Sequence, residues 1–168
     1  MIANTGLPML FFQLPYLALL LVPVVAIEAA VLRKRLGFDH LESFGGAMRA
    51  NLVSTFAGFP LAWIVLVFVQ CFFEGHMRSL SSPTQFDELL NLQVAWVNPE
   101  IASWMVPAAS MVLLVLCFPV SLLIEGWQLR WHWPEQSPSR VWRATLLANL
   151  ASYAMLLALG AVELCFTL

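Results

Sequence analysis

The chain has 168 residues, of which 61% are apolar and 11% are charged, and its formal net charge is −2. Soluble domains have roughly 45–50% apolar and about 25% charged residues, so this chain has too few charges to cover a water-facing surface. The composition excludes a soluble globular domain and a disordered chain, and the small net charge argues against a nucleic-acid partner. We therefore predict an integral membrane protein whose first partner is the lipid bilayer.

Four long apolar stretches follow one another along the chain. A helix needs about 20 mostly apolar residues to cross a bilayer core of about 30 Å. The stretches that meet this requirement are residues 7–32, 50–73, 103–124 and 143–166. They are continuously apolar, and their length favours helices over strands. The predicted fold class is an all-α integral membrane protein, with four transmembrane helices in a single domain.

The basic residues predict the orientation of these spans. Seven of the eight lie in or directly beside residues 33–49 and 125–142, and the eighth is Arg78. Loops rich in Lys and Arg stay in the cytoplasm. We therefore expect 33–49 and 125–142 to be cytoplasmic loops, and both termini and residues 74–102 to lie outside. This pattern is typical of a multi-pass protein of a bacterial inner membrane.

The outer segment 74–102 contains a predicted short helix. Ser82 followed by Pro83 and Gln85 is a typical helix start, because it combines an N-cap, a first-turn proline and a Gln at the third position. We predict an amphipathic helix over 83–97, lying on the outer membrane surface or against a partner. Its apolar face consists of Phe86, Leu89, Leu90 and Val97.

A weak internal repeat links the two halves of the chain. The pattern Ile-Glu-x-x-x-Leu-Arg occurs at 27–33 and again at 124–130, an offset of 97. The pattern Ala-Asn-Leu-x-Ser occurs at 50–54 and again at 148–152, an offset of 98. These matches predict two helical hairpins of the same orientation, related by a pseudo-two-fold axis along the membrane normal.

Two carboxylates lie inside the predicted membrane region, where an ionisable group is costly unless it is paired or solvated. Glu28 and Glu125 each precede an Arg by five residues, which is a poor spacing for a pair within one helix. The candidate partners therefore lie on the following span of each hairpin: Arg49, Asn51, Arg143 and Asn149.

Three interpretations of Glu28 and Glu125 remain open at this point. Each carboxylate can hydrogen-bond across its own hairpin and fix the register of two helices. Alternatively, the two face each other and form a cation or proton site on the cytoplasmic side. A third possibility is a contact with a partner subunit.

No motif in the chain indicates catalysis. The metalloprotease, nucleophile-elbow and phosphate-loop patterns are absent, and Cys71, Cys117 and Cys165 are too far apart along the chain for a typical zinc motif. We predict no cofactor, no metal site and no catalytic residue. The preferred function is an accessory or scaffold subunit of a larger membrane complex, bound to other membrane subunits or to copies of itself. The alternatives are an oligomeric transporter or proton-pathway subunit that uses Glu28 and Glu125, and a small membrane enzyme for a lipid-soluble substrate.

One local pattern bears on the enzyme alternative. Arg140-x-x-Arg143-Ala144, followed by Asn149, resembles the Arg-x-x-Arg-Ala-x-x-Asn run of the small four-span glutathione-dependent membrane enzymes. Here the Asn follows the Ala by five residues instead of three, the acidic residue downstream is absent, and the run begins the fourth span instead of the second. We therefore carry no activity over from that family.

Overall fold

The described part of the chain is entirely helical apart from short connections. A computed structural model describes residues 7–77 and 104–167, which form four α-helices. Two described stretches, Ser110–His132 and Pro138–Thr167, are long and apolar enough to cross a membrane. The all-helical fold with four helices expected from the sequence is thereby confirmed. The helices are α1 (Leu7–Leu36), α2 (His40–Met77), α3 (Met105–His132) and α4 (Pro138–Thr167).

The four helices form a bundle in which each helix has two neighbours. The packed pairs are α1 with α2, α2 with α3, α3 with α4, and α4 with α1. Short connections between α1 and α2 and between α3 and α4 make these pairs antiparallel hairpins. Side chains at one level of the bundle can therefore meet at its centre from all four helices.

The first hairpin has a much shorter connection than the sequence predicts. Residues 33–49 were expected as a loop, but α1 continues to Leu36 and α2 begins at His40. Gly37 ends α1 with a φ of 82°, and its N–H donates to the Arg33 carbonyl at 3.0 Å. Asp39 caps the start of α2, because its Oδ1 accepts the Glu42 N–H at 2.7 Å. A tight turn and a cap therefore replace the predicted loop.

The second hairpin differs from the prediction in the same way. Residues 125–142 were expected as a loop, whereas α3 continues to His132 and α4 begins at Pro138. Glu125 therefore lies well inside α3. Between the two hairpins, α2 extends to Met77, beyond the predicted end of the second span. The predicted amphipathic helix 83–97 lies outside the described residues.

The hydrophobic core lies at the end of the bundle that carries these two short connections. Trp133, directly after α3, is buried and packs on Phe38 with ring centroids 4.5 Å apart. Its indole N–H donates to Glu42 Oε1 at 3.1 Å, so the connection after α3 is attached to the first turn of α2. The other buried apolar residues of this core are Val25, Ala29, Leu32, Leu36, Ala47, Ala50, Leu129, Val141, Ala144 and Ala148.

The outer surface of the bundle carries many large apolar side chains. Leu19 on α1, Phe56 on α2, and Val112 and Leu123 on α3 are all largely exposed. A soluble bundle would have polar residues at these positions. The arrangement, with buried polar side chains inside and many large apolar side chains outside, is that of a bundle surrounded by lipid.

Candidate functional site

Six polar side chains from all four helices meet inside the bundle. All six are buried, and Glu28 and Glu125 are each only 2% exposed. We call this group the polar cluster. Its members are Glu28 on α1, Asn51 and Ser54 on α2, Glu125 on α3, and Asn149 and Ser152 on α4.

Glu28 accepts hydrogen bonds from both neighbours of α1. Its Oε2 accepts from Nδ2 of Asn51 at 2.5 Å, which links α1 to α2 within the first hairpin. Its Oε1 accepts from Oγ of Ser152 at 2.7 Å, which links α1 to α4 of the second hairpin. A single carboxyl group thereby connects three helices.

Glu125 has the corresponding set of partners. Its Oε2 accepts from Nδ2 of Asn149 at 2.7 Å, which links α3 to α4 within the second hairpin. Its Oε1 accepts from Oγ of Ser54 at 2.7 Å, which links α3 back to α2 of the first hairpin. The two carboxyl groups therefore belong to one network, because α2 and α4 each contribute a partner to both of them.

The local helix geometry explains how one helix serves two carboxyl groups. Asn and Ser stand three residues apart on α2 and on α4, so they lie on the same helical face. Each Asn also donates to a carbonyl one turn earlier, from Asn51 to Ala47 at 3.0 Å and from Asn149 to Thr145 at 3.2 Å. These backbone bonds hold the amide groups in position.

The hydrogen-bond distances of the two serine hydroxyls bear on whether the carboxyl groups carry a proton. The Ser54 hydroxyl lies 2.7 Å from Glu125 Oε1 and 3.1 Å from the Asn51 carbonyl, and a hydroxyl has only one proton to donate. Ser152 stands in the same relation to Glu28 and to the Asn149 carbonyl. Both distances fit good hydrogen bonds if the carboxyl group is protonated. The carboxyl O–H then donates to the serine oxygen, and the serine O–H donates to the backbone carbonyl.

The structure separates the candidate residues named from the sequence into two groups. Asn51 and Asn149 bind the carboxyl group of their own hairpin. Arg49 and Arg143 are exposed, because they lie on the other side of their helices, and the carboxyl groups take serine hydroxyls as second partners instead. Ser54 and Ser152 were missed as partners, although both belong to the repeated Ala-Asn-Leu-x-Ser pattern that could have identified them.

The members of the polar cluster are buried among the described residues. Two surface grooves lie at the end of the bundle with the short connections, one beside Trp127 and Trp131 and the other beside Arg140 and Arg143. Neither groove is lined by a member of the cluster. The geometry joins the four helices, and neither of these two grooves opens onto the carboxyl groups.

Comparisons with known proteins identify the family. No curated protein and no solved structure matches the chain. A family model described as "Filament integrity protein FraC" matches residues 7–140, which is well over half of the chain. The matched part contains Glu28, Asn51, Ser54 and Glu125. The chain therefore belongs to the FraC family of filament integrity proteins.

Proposed function

We propose that this chain supports filament integrity as a non-catalytic, multi-pass subunit of a larger membrane assembly. The family description supports the general role, since the family is defined by filament integrity and is not known as an enzyme family. The polar cluster supports the more specific role of a non-catalytic subunit, because it joins all four helices into a single unit with a fixed outer surface.

The observation that carries the proposal is the crossed bonding of the two glutamates. Glu28 and Glu125 each hold one partner in their own hairpin and one in the other hairpin. Interhelical hydrogen bonds in membranes contribute about 0.6–2 kcal/mol each, so four of them stabilise the bundle by several kcal/mol. Structural locking therefore accounts for these residues without a transported ion or a substrate.

The internal repeat is part of the proposal. The Glu28–Asn51 and Glu125–Asn149 bonds are related by the offsets of the repeated sequence patterns, and so are the two Glu–Ser bonds. These equivalent bonds support two hairpins of one design around a pseudo-two-fold axis. We further propose that all four helices cross the membrane, with the short connections on the cytoplasmic side as the basic residues predict.

The exposed apolar side chains support an assembly with other membrane proteins. Leu19, Phe56 and Leu123 lie on three different helices, so apolar surface surrounds much of the bundle. Lipid covers such a surface as well as a protein partner does, and a rigid bundle presents it in one fixed shape. A scaffold subunit requires this combination of a rigid interior and an apolar exterior.

A test combines purification with a filament assay. The tagged chain is expressed in a filament-forming cyanobacterium that lacks its own copy, purified in mild detergent, and weighed as an intact particle. We expect other membrane subunits at fixed stoichiometry, and restored filament length. The Ser54→Ala/Ser152→Ala variant should shorten filaments and weaken the complex, whereas Arg49→Gln, changed outside the polar cluster, should behave as wild type. A lone monomer or homo-oligomer that still restores filaments would contradict the accessory-subunit proposal.

A further inference from the structure

A groove at the end of the bundle combines positive charge with an apolar wall. It lies where the last turn of α1 meets the first turns of α4, and its volume is about 280 Å³. We call it the arginine groove. The residues that line it are Arg35, Ser139, Arg140, Arg143, Ala144 and Leu147.

The three arginines of this groove carry positive charge that the described part of the chain does not neutralise. All three are exposed, and no described carboxylate forms an ion pair with them. Arg140 is held in place, because its Nε–H donates to the Arg35 carbonyl at 3.2 Å and thereby connects α4 to the end of α1. The first N–H groups of α4 lie in the same region and add the positive end of a 30-residue helix.

The wall of the arginine groove is apolar and continues down the outside of α4. Ala144 is buried below the arginines, and Leu147 beside it is 37% exposed. Arg143 and Leu147 are four residues apart, so one helical face carries a guanidinium group near the helix start and an apolar surface one turn further along. Leu150, about one further turn along, is also exposed.

We propose that the arginine groove binds the phosphate of an anionic phospholipid, with an acyl chain lying along α4 past Leu147. Basic pockets between membrane helices on the cytoplasmic side are typical sites for anionic headgroups, and guanidinium groups bind phosphate oxygens in a bidentate fashion. The apolar wall favours a lipid over a free anion, because a free anion gains nothing from Leu147.

The test measures phosphatidylglycerol binding to the purified full-length chain by native mass spectrometry in a neutral detergent. We expect retained phosphatidylglycerol on the wild type and weaker binding at higher salt, because the contact is electrostatic. Each arginine near a membrane surface contributes about fivefold in affinity. The Arg35→Gln/Arg140→Gln/Arg143→Gln variant should therefore bind phosphatidylglycerol about 100-fold more weakly than the wild type.

A matched control removes the same charge outside the arginine groove. The Arg33→Gln/Lys34→Gln/Arg49→Gln variant loses three positive charges at exposed positions that do not line the groove. It should keep phosphatidylglycerol within about twofold of the wild type. Equal losses in both variants would overturn the proposed site, since they would show a general charge effect. Far-UV circular dichroism checks that both variants remain helical, and the salt dependence of the wild type tests the electrostatic contact without any substitution.

The source of the phosphate is tested by competition. Inorganic phosphate and glycerol 1-phosphate share the anion but lack the acyl chains. We expect neither to displace phosphatidylglycerol at millimolar concentration. Displacement by glycerol 1-phosphate, or no preference for phosphatidylglycerol over phosphatidylcholine, would overturn the lipid assignment. The measurement uses purified protein alone, so its outcome is independent of the filament assay.

Discussion

Replacing Glu125 by Gln or by Ala tests the proton count in the polar cluster. In Gln, the amide nitrogen can take the place of the protonated carboxyl oxygen and donate to Ser54, while the amide oxygen accepts from Asn149. Both interhelical bonds then remain, and so does the Ser54 bond to the Asn51 carbonyl. Ala removes both interhelical bonds at once and leaves Ser54 and Asn149 without the carboxyl group.

The expected magnitudes follow from this count. Glu125→Gln should change the free energy of unfolding by no more than about 0.5 kcal/mol, as for a substitution that leaves every contact in place. Glu125→Ala loses two interhelical bonds of about 0.6–2 kcal/mol each, so it should destabilise the bundle by roughly 1–4 kcal/mol. If Glu125 carried a negative charge, Gln would lose charge-assisted bonds, which are about twice as strong as neutral ones.

The assay is reversible unfolding of the purified chain in mixed micelles, followed by far-UV circular dichroism while the SDS fraction increases. Glu163→Gln is the control, because Glu163 is exposed near the other end of α4 and lies outside the cluster. Glu28→Gln and Glu28→Ala should reproduce the pattern at the equivalent position. A Glu125→Gln variant as unstable as Glu125→Ala would refute the reasoning, since it would show that the neutral group cannot replace the carboxyl group.

Two further predictions concern packing. Trp133→Ala should destabilise the chain by about 3–5 kcal/mol in the same assay, because it removes a buried ring and its hydrogen bond to α2. The control Trp131→Ala, at a position that is 79% exposed, should change the stability little. Equal effects of the two substitutions would contradict the role of the buried ring. Gly126→Ala should destabilise by about 1–3 kcal/mol, because its Cβ would overlap the Trp142 ring. Gly45→Ala, with open space around the new methyl group, should be neutral or stabilising by up to about 1 kcal/mol, and a loss as large as that of Gly126→Ala would contradict the packing argument.

The sequence identified the membrane character and the residues at the centre of the bundle for clear physical reasons. Long apolar runs have few alternatives to membrane helices, and a carboxyl group in such a run requires a partner. Glu28 and Glu125 were therefore visible without a structure, and so were Asn51 and Asn149 as partners from the next helix.

The connections and the bonds between the hairpins could not be derived in the same way. Basic residues mark where a helix leaves the membrane, but they form helix readily, so α1 and α2 continue through most of the segment predicted as a loop. The bonds of Ser54 and Ser152 depend on which hairpin faces which. A serine in an apolar helix is compatible with many neighbours, including its own backbone, so its type does not identify its partner.

The bonds between the hairpins also determine the order in which the polar cluster can form while the chain is being synthesised. Glu28 can bond Asn51 as soon as the first hairpin has been made, but its second partner, Ser152, comes 124 residues after it. Glu125 is made after Ser54 and before Asn149. Until α4 has packed against α1 and α3, each acid lacks one of its two bonds, because Asn149 and Ser152 both lie on α4. Helix α4 thereby completes the hydrogen bonding of a carboxyl group in α1.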